Sequence, residues 1–211
     1  MKTRDRIAET ARVLFNEQGY GAVSTAALAA ACGIAEGNLW YHYKTKRALL
    51  EAIGEGFAAA IEARLALSPG GDPVSDYAAL VAAMMGEFRD FRFLYRDQQS
   101  YGEHAEVVRA HAPEWTRRTF DQIEIYLAAL VDAGQLDWPR ERLRDLAVNA
   151  TIILRYGLEH YREMGEATGS GTGSVQRTLR RHLTLFEHRL APSAAERLHR
   201  AIEAIEAPLA A

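Results

Sequence analysis

The run Gly37-Asn38-Leu39-Trp40-Tyr41-His42-Tyr43 places a glycine, an amide, three aromatic rings and a histidine side by side, with Lys44, Lys46 and Arg47 close behind. On a helix, Leu39 and Tyr43 lie four apart and face inward. Asn38, Trp40, Tyr41 and His42 then surround the outward side. That outward set suits a nucleic acid. An amide pairs with a base edge or a phosphate. Trp and Tyr press on sugars and thymine methyls while donating N–H and O–H to phosphates. Gly37 leaves room for close approach of a backbone or base. Taken alone, such a cluster is more often packing, and Tyr43 and Tyr20 fit that role. Lys46-Arg47 alone would be a solvated charge pair. The ordered set as a whole points to double-stranded DNA.

Other chemistry finds little support. His104 and His111 are seven apart, with Glu103, Glu106 and His160 elsewhere. Without a cysteine cluster or two histidines at i, i+4 they read as surface histidines, so no metal is expected. Gly169-Ser170-Gly171-Thr172-Gly173 has no strand before it and its last glycine is misplaced for a dinucleotide loop, so it reads as a linker. No nucleophile elbow or P-loop occurs. The expectation is a protein with no catalytic residues and no cofactor, not an enzyme. The alternatives are a helical ligand-binding or interaction protein whose head no longer binds DNA, and an α-helical enzyme.

The elements that must present this run are helical. Thr3 N-caps a first helix to about Gln18, with Ile7, Ala8, Ala11, Leu14 and Phe15 on one face. Gly19 suits a left-handed closing residue. Ser24 caps a short second helix through Cys32. Gly33-Ile34-Ala35 makes a tight turn, and a third helix covers about Glu36 to Tyr43. Two short helices joined by such a turn are the basis of helix-turn-helix recognition, in which the second helix enters a major groove about 12 Å wide. Ser24 and Thr25 offer phosphate anchors at the start of the second helix. Thr45 begins a long fourth helix through Leu65, whose first turn carries Lys46; free amides and a basic charge at a helix start suit a phosphate. Further helices are predicted over about 74–95, 103–112, 114–133, 140–166 and 174–190, with breaks at Pro113, 134–139 and 168–174. A last one starts at Pro192 and reaches about Ala207. The fold class is all-α, a three-helix N-terminal helix-turn-helix domain and a larger C-terminal helical domain. The division expected is residues 1–47 as the DNA-binding head and 48–211 as the body.

Charge agrees with that division. The 211 residues carry a net −3, yet residues 1–47 hold seven Lys/Arg against four Asp/Glu, and the remainder 18 against 24. A basic head on an acidic body is expected when only the head meets phosphates. Cys32 is the one cysteine, which excludes an intrachain disulfide and fits a reducing compartment. Met1 to Arg6 is polar and no apolar run reaches the roughly 20 residues of a membrane span. The expectation is a cytoplasmic protein without a membrane partner.

At these residues the head resembles the TetR/AcrR family of regulators. The resemblance is carried by Ile7-Ala8-Glu9-Thr10-Ala11, Leu14-Phe15-Asn16-Glu17-Gln18-Gly19-Tyr20, Ser24-Thr25, Leu28-Ala29, Cys32-Gly33-Ile34 and the run Gly37 to Leu50. It covers about residues 3–55; past that point only the architecture is similar. It implies DNA contacts by Thr25, Gly37, Asn38, Trp40, Tyr41, His42 and Lys46. Ala26 stands where several relatives place a longer side chain, so direct base readout is expected to be sparse. Glu36 near the groove would repel phosphate unless it accepts from a cytosine amino group.

For the body the resemblance implies a homodimer that spaces two recognition helices about 34–36 Å apart on a palindromic operator. The candidate interface helices are 140–166 and 174–190, with Ile153, Leu154, Gly157, Leu158, Leu179, Leu183 and Phe186 as facing residues. The alternative is that these faces pack only within one chain. The segment 84–126 is rich in Met and aromatic residues. Met84, Met85, Phe88, Phe91, Tyr95, Trp115, Phe120 and Tyr126 are candidates to line a cavity for a small apolar or amphipathic effector, although a stripe of this kind is more often core. Phe91-Arg92-Phe93-Leu94-Tyr95-Arg96-Asp97 also resembles the body of one subgroup of the family.

Overall fold

The computed structural model describes residues 2–97, 101 and 104–205. Ten α-helices occur among them: α1 Thr3–Gln18, α2 Thr25–Cys32, α3 Glu36–His42, α4 Lys46–Leu65, α5 Pro73–Asp90, α6 Arg92–Arg96, α7 Glu106–Asp132, α8 Leu143–Glu163, α9 Ser174–Leu183 and α10 Pro192–Ala204. Short 3₁₀ turns lie at Arg140–Arg142 and Glu187–Arg189. The chain divides into two compact units, residues 1–62 with 90–113, and residues 63–89 with 114–211. Among the described residues no helix is long and apolar enough to cross a membrane.

The first unit is built on α1, whose Ile7, Ala11 and Phe15 are fully buried. Its helix starts at Thr3 itself, with Lys2 in the cap position and no side-chain cap bond, so the expected capping role of Thr3 is not realised. Gly19 closes α1 at φ +88° with ψ 146°: positive φ, as a glycine allows, but outside the left-handed helical region. Residues 74–95 form two helices rather than one. The break at Phe91 is made by Asn16, whose side-chain amide donates to the Asp90 carbonyl (2.8 Å) while its oxygen accepts from the Phe93 amide (3.0 Å). Arg92 and Arg96 donate to the carbonyls of Asn16 and Phe15 at the end of α1. The Asn16 carbonyl is among the last that a helix end leaves without ladder partners, whereas the Phe15 carbonyl also accepts from the Gly19 amide. Asp97 accepts from the Tyr20 amide at 3.0 Å. The 91–97 run thus grips the C-terminal turn of α1.

Pro113 does not end a helix, because α7 runs through it. Proline removes one ladder bond, here to the Arg109 carbonyl; both residues are exposed, where solvent substitutes for the lost donor. Helix α8 starts after the 140–142 turn, and α9 ends at Leu183 rather than near 190. There the chain tightens, with Leu185 and Phe186 amides bonding three residues back to His182 and Leu183. It then pairs across to 135–137 through Leu136 and Leu190. The last helix ends at Ala204, and the remainder of its predicted span, 206–207, lies outside the described residues.

In the second unit, α8 and α9 cross closely. A Cβ on Gly157 would stand 2.3 Å from Cγ2 of Thr178, so only glycine fits. Arg64 and Glu87 form a buried ion pair at 2.8 Å. The Arg64 guanidinium also reaches Gln122 (2.8 Å) and Thr119 (3.0 Å). Such a pair is tolerated because each nitrogen of the guanidinium finds an acceptor. Tyr77 and His182, both fully buried, share a hydrogen bond of 2.6 Å. Burial disfavours the charged imidazolium and holds His182 down at about 3, and it pushes the Tyr77 phenol up.

Candidate nucleic-acid interface

The interface is set by local rules that the sequence supplies. Ser24 caps α2, its hydroxyl oxygen accepting from the Ala27 amide at 3.1 Å. Gly33 closes α2 in the left-handed conformation, φ +65° and ψ 34°, which an L side chain adopts only at a cost. Ala35 then accepts from the Asn38 and Leu39 amides and starts α3. With seven residues, α3 is held by two anchors: Leu39, 1% exposed, and Tyr43 just past its end, 4% exposed. The Tyr43 hydroxyl donates to the Arg4 carbonyl (3.2 Å), and the Arg4 guanidinium lies over the Tyr43 ring.

The outward side is as the spacing requires. Gly37 and Asn38 are exposed, Trp40 and His42 half-buried, and Tyr41 is 75% exposed. Tyr41 stacks edgewise on His42 (5.3 Å between ring centres), and the Lys44 ammonium lies 6.0 Å from its ring. Nothing lies within 4 Å of where a Gly37 Cβ would be. No neighbour in the chain requires glycine there.

Two residues read as phosphate anchors have other partners. The Lys46 ammonium is turned inward, donating to the carbonyls of Tyr20 and Val23 (2.6 Å to the latter) and lying over the Tyr20 and Phe15 rings. Desolvation lowers its pKa. Two carbonyls and two ring faces hold a cation that would otherwise be solvated, so Lys46 ties the start of α4 to the α1–α2 turn. Thr45 caps α4 by accepting from the Ala48 amide. The Thr25 hydroxyl donates to Oε1 of Glu36 at 2.6 Å, linking the first residue of α2 to the first residue of α3. The spacing along the chain gave no sign of that bond. Ser24, Thr25, Gly37, Asn38, Trp40, Tyr41 and His42 all belong to the α2–α3 pair of the first unit.

The residues expected to face a second copy are placed differently. Leu154, Leu158, Leu179, Leu183 and Phe186 are 0–2% exposed, and Gly157 is closed off by Thr178. They are chain-internal packing, because α8 and α9 bury these stripes against their own chain; Ile153 and Gly157 keep partial exposure. The apolar side chains that α8 leaves outside are Ile152 (56%) and Tyr156 (50%).

The eight residues expected around an effector fall into both units. In the first, Phe91 and Tyr95 pack on Phe57 at 5.3 and 5.2 Å. Phe91 also lines an open cleft of about 550 Å³ together with Arg4, Arg12, Tyr43 and Gly56. In the second, Met84, Met85, Phe88, Trp115 and Tyr126 are buried, and Phe120 lies under the Arg144 guanidinium. Tyr126 also borders a groove of about 200 Å³ with Leu65, Leu67, Arg118 and Ile125. As for the histidines, His104 Nδ1 lies 3.3 Å from the Tyr20 hydroxyl and His111 Nδ1 2.9 Å from the Val107 carbonyl; Glu103 lies outside the described residues.

Comparison with known families decides the class. The profile described as bacterial regulatory proteins, tetR family, matches residues 7–53, and the TetR profile described as bacterial transcriptional repressor matches residues 56–198. The chain belongs to the TetR family. TetR-family proteins are transcription regulators rather than enzymes. The chain is 41% identical over 51 residues to the HTH-type transcriptional regulator UidR of Escherichia coli K12, a match spanning 24% of this chain and 26% of that relative. Among solved structures, a TetR-family transcriptional regulator from Marinobacter aquaeolei VT8 superposes with a TM-score of 0.74 at 24% identity, covering 96% of this chain and 98% of that one. AibR in complex with isovaleryl coenzyme A and operator DNA superposes with a TM-score of 0.61 at 18% identity, covering 88% and 98%. At these identities the likeness is one of fold: a TetR head of three helices followed by a larger helical body.

Proposed function

We propose that this chain is a ligand-responsive transcriptional repressor that binds a palindromic DNA operator as a homodimer in the cytoplasm. Residues 1–47 act as the DNA-binding head and residues 48–211 as the effector-binding and dimerisation body. The observation that carries the reading is the outward face of α3, where Asn38 and Tyr41 stand exposed beside Gly37 on a helix anchored by Leu39. With three quarters of its surface exposed, Tyr41 is not placed there by burial. The net positive charge of residues 1–47 supports the same reading. Lys44, Arg4 and Arg6 add attraction for phosphates, Arg12 being paired with Glu9, and Lys46 acts by holding the frame.

The likeness to AibR, a protein that binds isovaleryl coenzyme A and operator DNA, supports an effector-dependent operator complex. The effector is taken to be a small apolar or amphipathic molecule. Ligand response requires only that it prefer one arrangement of the heads over another. The exposed pair Ile152 and Tyr156, one turn apart on α8, supports self-association through that helix. Two copies would bury these side chains about a two-fold axis.

Titrating a duplex pool with the protein from 50 to 300 mM salt tests the reading. Binding by several phosphate contacts gives log affinity that falls linearly with log salt, at two chains per duplex. Sedimentation of a variant carrying Ile152→Glu and Tyr156→Glu is expected to show a folded monomer. An affinity independent of salt, or none, contradicts the DNA reading; an unchanged dimer in the double variant contradicts the proposed face.

A further inference from the structure

We infer that Glu36, oriented by Thr25, reads a cytosine in each half of the operator. This rests on the DNA-binding reading above. Glu36 is the first residue of α3, and the N-terminal residues of a recognition helix are the ones that meet base edges. Around that edge the choice of readers is small. The exposed face of α2 consists of Ala26, Ala27, Ala30 and Ala31, none of which carries a polar side chain. The Ser24 hydroxyl is engaged as the α2 cap. In the first turn of α3, Glu36 and Asn38 are the exposed polar side chains left to face a base.

Thr25 decides how the carboxylate stands. Its single hydroxyl proton goes to Oε1 of Glu36 at 2.6 Å, so that proton is not offered to a phosphate. Oε2 of Glu36 has no hydrogen-bond partner among the described residues. A carboxylate fixed at one oxygen and open at the other is a directed acceptor, and its loss of side-chain freedom is met before DNA arrives. The open space beside Gly37 fits the same picture. A glycine inside a helix is less favourable than alanine, and nothing within 4 Å of its Cβ position among the described residues requires it. Close approach of the duplex next to Glu36 does.

The base follows from the groove's donors and acceptors. Guanine presents two acceptors and thymine an acceptor with a methyl group, so both repel a carboxylate. Adenine has an amino group but sets it beside the N7 acceptor. Cytosine presents its N4 amino group without an acceptor of its own alongside, and is the base that Glu and Asp accept from. The N4–H donates to Oε2, and the favourable contact offsets the repulsion between the carboxylate and nearby phosphates.

Enrichment of duplexes from a random pool by the full-length protein, followed by affinity measurement on the winners, tests this. The wild type is expected to select one C·G pair per half-site whose replacement by T·A weakens binding about tenfold. With Glu36→Ala that position loses its preference, and with Glu36→Gln it loses cytosine in favour of adenine, which an amide reads. Thr25→Val blurs the cytosine preference and Thr25→Ser restores it, with melting temperatures checked to exclude unfolding. A selected site without any position that responds to Glu36 overturns the inference while leaving DNA binding intact. Equal cytosine preference in Thr25→Val and wild type overturns the role of Thr25. A wild type that enriches no duplex overturns the DNA-binding reading and this inference with it.

Discussion

Helix α3 buries Leu39 and leaves Asn38 and Tyr41 outside, whereas α8 and α9 turn Leu154, Leu158, Leu179 and Leu183 wholly inward. Both regions carry apolar or aromatic residues at helical spacing. They differ in what lies between those residues. On α3 the outward positions hold an amide, a phenol and a glycine on a helix of seven residues, too short to bury more than one anchor. Along α8 and α9 the inward leucines are interleaved with Thr151, Thr178 and His182, which bond within the chain, and the first apolar surface these stripes meet is that of their own chain. Gly157 against Thr178 shows how closely. A stripe whose apolar side chains meet their own chain becomes core, and its polar side chains bond internally; a mixed polar and aromatic face with no inward partner stays available for a ligand.

The contrast can be attacked from the inward side first. Leu179→Ala removes a fully buried side chain and is expected to cost roughly 2–5 kcal/mol of stability in urea unfolding. A loss below about 1 kcal/mol would mean that α9 is not core and that its stripe is free for another chain. The next effect is in pH. His182 has its pKa pushed from 6.5 to about 3 by burial, so between those values the unfolded chain binds a proton that the native one refuses. Stability is therefore complete above pH 6.5 and declines as pH falls towards 3. Between pH 7 and 5 the decline is about 2 kcal/mol from this group, and it should vanish in His182→Gln. The smallest effect belongs outside: Tyr41→Ala should change stability by no more than about 0.5 kcal/mol, as surface substitutions do.

Much of the head was legible because its determinants are local. The Ser24 cap, the left-handed Gly33 and the Leu39 anchor each depend on neighbours a few residues away. The features that escaped are set by residues distant in sequence. Asn16 breaks the helix at residue 91 from more than seventy positions away. Lys46 meets Val23 from twenty-three positions away and thereby turns from phosphate anchor to internal strut. Thr25 and Glu36 are eleven apart, so the turn between α2 and α3 had to be built before their bond could be seen. Pro113 is the reverse case. A local rule favoured a break, and an exposed helix surface absorbed the lost bond. For the body, periodicity identified which stripes are apolar but not which surface they bury against. Five of the seven interface residues expected from it are therefore core.

On the proposed function, the outward face of α3 binds DNA. Duplex affinity and thermal melting measured together on wild type and Tyr41→Ala test it most directly. The expected result is an unchanged melting temperature with binding weakened about tenfold or more, as for loss of one aromatic contact with sugar and phosphate. Wild-type affinity in Tyr41→Ala, at unchanged melting, would contradict it.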